Sequence, residues 1–286
     1  MRYGYDPGCA RPTAGEEPDA SARAVAAALG LTLEEIEDPG EGAAGALTLN
    51  GIPAYARVGR MLALASRQLS TRCDAARPPT VVTPCSDCFL NLARASHALG
   101  THPDLREQVA EELAAAGLSV EPGAVRIRHL LEVLCEDAGV EAIRARVRRP
   151  LAGLRVAPYY GCLWTRDGGA GTEREGAARP GRLESLLSAL GAEVVDSPLK
   201  GHCCGGRAAE ASEETATSLQ LRILRSASDL GAAAIATVCP RCERNLASGQ
   251  GAVNRRFGTR FTIPVRYFTV LVAEAFGLDG ELGVRS

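Results

Sequence analysis

The sequence predicts an α/β protein made of two copies of one unit, each a small, mostly parallel sheet flanked by helices. Two observations carry this. Four blocks of similar residues recur in the same order along the chain, and short apolar runs alternate with stretches of helical apolar spacing. "RYGYDPGC" (2–9) matches "RVAPYYGC" (155–162), and "AALG" (27–30) matches "SALG" (188–191), each followed by a short apolar-alternating run. "TPCSDCFLNL" (83–92) matches "TVCPRCERNL" (237–246), and "VRIRHLLEVL" (125–134) is set against "VRYFTVLVAE" (265–274). The copies are expected to meet near 148–154 ("RRPLAGL"), where Pro150 and Gly153 interrupt a helical pattern. This gives an N-terminal domain over 1–150 and a C-terminal domain over 151–286.

Within each copy the order reads strand, helix, strand, loop, strand, helix. "LRVAPYY" (154–160) and "AAAIATV" (232–238) are short buried strands. "GRLESLLSALG" (181–191) and "SLQLRILRSASDLG" (218–231) have helical spacing and end at Gly. Strands alternating with helices imply parallel sheets. Gly161-Cys162 and Cys239–Cys242 then fall just after strands, at the carboxyl edge where open α/β sheets place ligands. The polar, Gly-rich stretch 166–181 reads as a loop without chemistry.

Composition narrows the function. The chain has 286 residues, 46% hydrophobic and 23% charged, a globular balance. Aromatic residues are 4%, so Ala, Leu and Val must fill the core. Net charge is −2 with no block of like charges, which argues against a nucleic-acid partner. No run approaches the length of a membrane span and no leader pattern is visible, so the expected location is the cytoplasm. Ten cysteines in a chain of that kind point to metal or redox chemistry, because a reducing compartment does not sustain a disulfide framework.

The stretch "KGHCCGG" (200–206) sets two thiols side by side. With Cys162 upstream and the pair Cys239 and Cys242 downstream, five thiols collect from three segments at one sheet edge. Four-coordinate zinc needs only four ligands, and adjacent residues seldom both reach one small ion. An iron–sulfur cluster spreads several irons, so neighbouring thiolates can bind different ones. Gly205 and Gly206 let the backbone approach closely. A five-cysteine iron–sulfur site is the natural reading. The competing picture, a thioredoxin-like dithiol at "VCPRC", leaves the other three thiols and the repeat unexplained.

This cysteine spacing with "CCGG" intact, the "Y-x-P-G-C" start, the twofold repeat and "TPCxxC" resemble the cysteine-rich CCG domain of the heterodisulfide reductase B subunit, over nearly the whole chain. A shorter iron–sulfur protein of lactate or glycolate oxidation systems shares the domain. The resemblance implies two CCG domains and a noncubane [4Fe-4S] cluster held by Cys162, Cys203, Cys204, Cys239 and Cys242. It implies disulfide and thiol redox chemistry at that cluster, on a small-molecule or carrier-bound substrate. The implied partners are homologues of the ferredoxin-like C subunit and the flavoprotein A subunit of heterodisulfide reductase. The alternative it leaves open is a non-catalytic electron-transfer or docking subunit of a related lactate/glycolate oxidase or sulfur-oxidation complex.

The first half departs from that pattern. Cys9, Cys85 and Cys88 stand at ligand positions, but Glu41 and Gly42 of "EDPGEGAAG" align with the Cys pair. This half is expected to be empty, or to hold zinc or a second iron–sulfur cluster through those three thiols and Cys73. Cys135, on a helix, reads as a small buried hydrophobe. His202 and Lys200 precede the Cys pair and are the candidate proton donors for departing thiolates. Some members of the resembling family carry a His after the first ligand of the second motif; here Leu163 and then Trp164 follow it, and Trp164 reads as shielding or an interface anchor. Asn91-Leu92 and Asn245-Leu246 are expected to hold each CxxC loop against its helix, whose dipole favours thiolates. His97, His102 and His129 read as structural or solvated.

Overall fold

The computed structural model describes residues 1–11, 17–37, 51–70, 78–165 and 181–278. Glu41, Gly42, Cys73 and nearly all of the 166–181 segment lie outside the described residues. The first half runs β1 (Arg2–Tyr5), α1 (Glu17–Ala28), β2 (Thr32–Glu35), α2 (Ile52–Ser70), β3 (Thr80–Thr83), α3 (Ser86–Thr101), α4 (Pro103–Ala114) and β4 (Arg126–His129). A short α5 (Leu130–Glu132) then passes through a π-helical stretch, Val133–Gly139, into α6 (Val140–Arg146). The second half repeats the plan. It runs β5 (Arg155–Tyr159), α7 (Cys162–Thr165), α8 (Arg182–Ala189), β6 (Glu193–Val194), α9 (Glu213–Asp229), β7 (Ala234–Thr237), α10 (Pro240–Phe257), β8 (Val265–Tyr267) and α11 (Phe268–Phe276).

Local chemistry sets the boundaries. The Ser212 hydroxyl accepts from the Thr215 N–H at 3.1 Å, so α9 begins five residues ahead of the stretch read from spacing alone. Gly258 and Gly277 close α10 and α11 with left-handed backbone.

The sheets have orders β2-β1-β3-β4 and β6-β5-β7-β8, every neighbouring pair parallel. The expected fold class is therefore what the chain adopts. Chain direction across each sheet reverses between the first and third strands of the half, β1/β3 and β5/β7. That is the switch point where open α/β sheets leave a crevice.

The register also corrects one repeat alignment. Thr83 pairs with His129 and Thr237 with Tyr267, so His129 corresponds to Tyr267, two residues away from the pairing that the block "VRIRHLLEVL" suggests. The charges agree with the corrected register: Arg128 bonds Glu136, and Arg266 bonds Glu274, at equal spacing along the chain. Val-Arg recurs at both strand starts, and matching on it slid the blocks out of phase.

Alternation along the strands gives each sheet two apolar faces. Val81 packs outward with α2, α3 and α4, while Ala157 and Ile235 pack outward with α9 and α10. Their neighbours Val82, Val156 and Ala236 point inward, into one core that both halves share. That core is made by exchange. α1 of the first half packs along α11 of the second, and α8 of the second packs on α5 and α6 of the first. Ser21 and Thr269, both fully buried, join α1 to α11 through their hydroxyls at 2.6 Å. Arg148 and Arg149, in the connection between the halves, donate their N–H groups to the Ala275 carbonyl of α11.

Candidate metal centre

Every ligand candidate after a strand stands at the carboxyl edge that the sequence implied. Cys9 follows β1 and Cys162 opens α7 directly after β5. Cys85 and Cys239 are the N-caps of α3 and α10, one turn ahead of Cys88 and Cys242, so helix dipoles favour thiolate at both pairs. The exchanged core turns these two edges toward each other. Cys85, Cys88 and Cys239 are buried as one sulfur cluster, with Cys9 and Cys242 against it.

In the first half Cys9, Cys85 and Cys88 offer sulfurs within 4.8 Å of one another. Cys88 Sγ lies 3.6 Å from Cys9 Sγ and accepts from the Cys9 N–H at 3.4 Å. The trio behaves as one titrating unit. Thiol hydrogen bonds from Cys85 and Cys88 hold Cys9 down to about 4, while the thiols that donate, Cys85 foremost, are held well above the ordinary range. A first thiolate is welcome there; further ones need a cation. Gly8 is required at its place, since a Cβ would lie 2.4 Å from Cys88 Sγ and its φ is +48°.

In the second half the Cys242 thiol reaches both Cys204 and Cys239. Cys242 donates to both neighbours, which lowers Cys204 and Cys239, and the Gly206 N–H helps Cys204. Cys203 Sγ accepts from the Gly205 N–H at 3.4 Å. Burial raises the Tyr159 hydroxyl far above its usual value, and the thiols of Cys242, Cys204, Cys162 and Cys203 press it the same way, so this ring sits among four of the five cysteines. Its O–H donates to the His202 carbonyl at 2.5 Å and pins the CCGG loop from beneath. Space for a group larger than one ion depends on missing side chains. A Cβ on Gly161 would meet Cys242 Sγ at 3.2 Å, and one on Gly206 would meet Cys204 Sγ at 3.4 Å. Five sulfurs with this backbone access fit an iron–sulfur cluster by donor type and number.

The other sequence candidates sort clearly. His202 is exposed, immediately before Cys203. Lys200 Nζ bonds Glu184 at 3.0 Å and Asp196 at 2.6 Å; partial burial opposes its charge, but the two carboxylates outweigh it and hold the ammonium above its ordinary pKa. Asn245 holds a ligand loop against α10. Its Nδ2 donates to the Cys204 carbonyl at 2.5 Å, tying α10 to the CCGG loop. The corresponding Asn91 Nδ2 is buried without a hydrogen-bond partner among the described residues. Trp164 is buried edge-on against His129, 4.8 Å between ring centres, which makes it an anchor between the halves. Cys135 is partly buried beside the shared core, and burial pushes its thiol up to about 12. His97 and His102 lie at the end of α3, away from the sulfurs.

Three features escaped sequence reasoning. Asp87, inside the first CxxC and 1% exposed, pairs with Arg207 at 2.7 Å and Arg241 at 3.6 Å. Burial raises its carboxyl, and the two guanidiniums, Arg207 first, pull against that. Asp87 and Arg241 occupy the same position of the repeat, so opposite charges inside the two CxxC spacers were the available signal. The second feature is a pair of reciprocal clamps. Leu131 N–H donates to His129 Nδ1, so the proton lies on Nε2, which donates to the Val238 carbonyl at 3.2 Å. Tyr267 O–H donates to the Pro84 carbonyl. Each clamp leaves the last strand of one half and grips the residue before the first CxxC cysteine of the other. The third is the Tyr159 pin, which only the folded loop reveals.

The chain has relatives in sequence and in fold. Residues 156–247, the span holding all five second-half cysteines, match the CCG cysteine-rich domain. The chain is 31% identical, over 99% of its length and 95% of the relative, to the 8-methylmenaquinol:fumarate reductase membrane anchor subunit of Wolinella succinogenes. It is 32% identical, over 78% of its length and 74% of the relative, to the B subunit of the ferredoxin/F(420)H(2)-dependent CoB-CoM heterodisulfide reductase of Methanosarcina acetivorans. In three dimensions 99% of the chain superposes on a hypothetical protein from Helicobacter pylori with TM-score 0.70 at 13% identity, spanning 50% of that solved chain. That likeness supports the fold. The first two relatives are subunits of multi-subunit reductases, and no helix among the described residues is long and apolar enough to cross a membrane. With its cysteines at the switch points of two repeated parallel sheets, the chain belongs to the CCG cysteine-rich domain family of the heterodisulfide reductase B subunit.

Proposed function

We propose that the chain is the iron–sulfur subunit of a heterodisulfide reductase-like complex, with disulfide and thiol redox chemistry at a noncubane [4Fe-4S] cluster on Cys162, Cys203, Cys204, Cys239 and Cys242. The observation that carries this reading is the five-thiol set at the β5/β7 switch point, with Gly161 and Gly206 leaving room around it. Such a cluster, when bound, supplies irons that take up a substrate sulfur and pass electrons singly. The overall change consumes two electrons and two protons per disulfide and releases two thiols. The electrons come from partner proteins, which the family resemblance gives as a ferredoxin-like protein and a flavoprotein. His202 is the proton donor in this reading: it is exposed, its backbone is pinned by Tyr159, and it stands next to the Cys pair. Lys200 is the less ready donor, because Glu184 and Asp196 retain its proton. The first half holds a simpler metal through Cys9, Cys85 and Cys88, with a fourth ligand from Cys73 or another thiol. The chain works in the cytoplasm, fixed to its partners by protein contacts.

A second reading has its own support. The relative matched across 99% of this chain is a membrane anchor subunit of a fumarate reductase, which favours a docking or electron-carrying role without disulfide chemistry. One experiment separates the two. Protein purified without oxygen is oxidised and titrated with thiols and disulfides while the cluster's paramagnetic signal is followed. A perturbed signal, abolished in Cys204→Ser, supports disulfide chemistry. An indifferent signal in a protein that still passes electrons between partners supports the carrier.

A further inference from the structure

The second half of α9 carries two unpaired cations beside an uncovered apolar surface. Arg222 and Arg225 are exposed, and neither makes an ion pair or a hydrogen bond among the described residues. The neighbouring cations are engaged: Lys200 by Glu184 and Asp196, and Arg155 by Glu193 and the Leu230 and Gly231 carbonyls. A groove of about 410 Å³ lies here. Pro198 and Leu199 line it from the turn ahead of the CCGG loop, and Leu221, Arg222, Arg225 and Leu230 line it from α9 and its end. Met1 and Leu230 are the large apolar side chains left exposed among the described residues. Asp229 borders the same groove, so two cations stand against one carboxylate. The groove is also bonded to the cysteine site. Ser197 Oγ meets Ser226 Oγ of α9 at 3.0 Å and accepts from the Leu199 N–H at 3.2 Å. The Leu199 carbonyl accepts from the His202 N–H, and the Lys200 carbonyl from the Tyr160 and Gly161 N–H groups. One turn thus joins the groove to the residues just before Cys203 and just before Cys162.

We infer that this groove docks an acidic amphipathic helix of the partner protein that delivers electrons to the second-half cysteines. This rests on the reading of that site as an electron-accepting centre, and it names the chemistry of the partner's contact. Arg222 and Arg225 stand three residues apart on one helix, about 5–6 Å. That spacing matches carboxylates three residues apart on a second helix laid along α9. Apolar side chains of the incoming helix fill the groove against Leu199, Leu221 and Leu230, the helix-in-groove mode of recognition. Apolar burial supplies the affinity, while the rim arginines steer the approach and fix the register. An anionic lipid surface suits the groove less well. Such surfaces are held by clusters of about four to eight cations, whereas here two border a concavity that also carries Asp229.

The test uses the full chain, purified without oxygen, and a fluorescein-labelled peptide of about 15 residues with Leu at helical spacing, Glu on the flanking positions and Ala elsewhere. Fluorescence anisotropy should show binding that weakens as salt rises. Arg222→Glu combined with Arg225→Glu should weaken it about tenfold or more and reverse the preference, toward a peptide with Lys at every Glu position. Leu230→Ser should weaken it while leaving its salt dependence unchanged. The three side chains are exposed, so these variants keep the fold. No binding at low salt, or equal binding by wild type and the double arginine variant, overturns the docking site. Wild type that ignores the peptide but binds vesicles of equal parts phosphatidylglycerol and phosphatidylcholine, with binding lost in the double variant, overturns it in favour of a membrane contact. Peptide binding does not require a cluster, which keeps the two failures apart. A chain without iron that binds the peptide through both arginines refutes the electron-accepting reading and retains the docking groove. An iron-bearing chain that ignores the peptide refutes the groove alone.

Discussion

The two CxxC segments occupy the same corner of the same sheet order, yet their environments differ in charge and in grip. Cys85–Cys88 encloses Ser86 and Asp87, while Cys239–Cys242 encloses Pro240 and Arg241. The carboxylate of one meets the guanidinium of the other, with Arg207 completing the bridge. Likewise the clamp on the second segment is an imidazole, and the clamp on the first is a phenol. Duplication of the scaffold made two equal corners. Their divergence made a pair that fit face to face, where two identical Asp or two identical Arg residues would repel at this depth.

The largest effect is expected from separating the corners. A chain of residues 151–286 alone bares the side of α11 that α1 covers, including the buried Thr269 and its apolar neighbours. We expect that fragment to be insoluble or molten, with near-ultraviolet circular dichroism lost, and to recover on coexpression with 1–150. A fragment that folds cooperatively by itself would show that the halves are independent domains.

Asp87→Asn attacks the charge difference directly. It leaves Arg241 and the more exposed Arg207 without their counter-charge, and the expected cost is about 2–4 kcal/mol in urea unfolding, below the full value for a wholly buried pair. Arg241→Met paired with Asp87→Leu should restore part of that loss, since it removes the more buried guanidinium together with the carboxylate and leaves only the half-exposed Arg207. No recovery in the double variant would mean that Asp87 matters for something other than its arginines.

The clamps come next. Tyr267→Phe deletes one donor to a buried carbonyl and should cost about 1–3 kcal/mol; His129→Leu strands the Leu131 N–H as well and should cost at least as much. If both clamps hold one junction, the double variant will be less damaging than the sum of the singles. Strict additivity would show that they serve separate corners.

The smallest effect concerns Cys135, which among the described cysteines belongs to neither set. With its thiol pushed up to about 12 by burial, the thiolate fraction at pH 8 is on the order of one in ten thousand. Iodoacetamide should therefore leave Cys135 unmodified in folded protein at pH 8 and alkylate it after denaturation. Its rate in the folded state should climb roughly tenfold per pH unit, because the thiol is neutral at every pH below that value. Fast labelling at neutral pH would place it in contact with solvent or a cation.

The sequence alone determined the repeat and the parallel α/β class, and it marked the five second-half cysteines as candidates. These rest on local signals, namely spacing within a strand or helix and residue types fixed to a turn such as Gly161-Cys162 and Cys203–Gly206. Only the tertiary structure decided which faces meet. Alternation assigns Val81 and Val82 to opposite sides of a strand, but says nothing about whose helix covers each side. The exchange of α1 and α8 across the halves, and with it the contact of Cys85 with Cys239, depends on which apolar faces bury most together. Asp87 shows the limit plainly. In the sequence it is one acid among many, and its meaning comes from two arginines more than a hundred residues away that folding delivers to it.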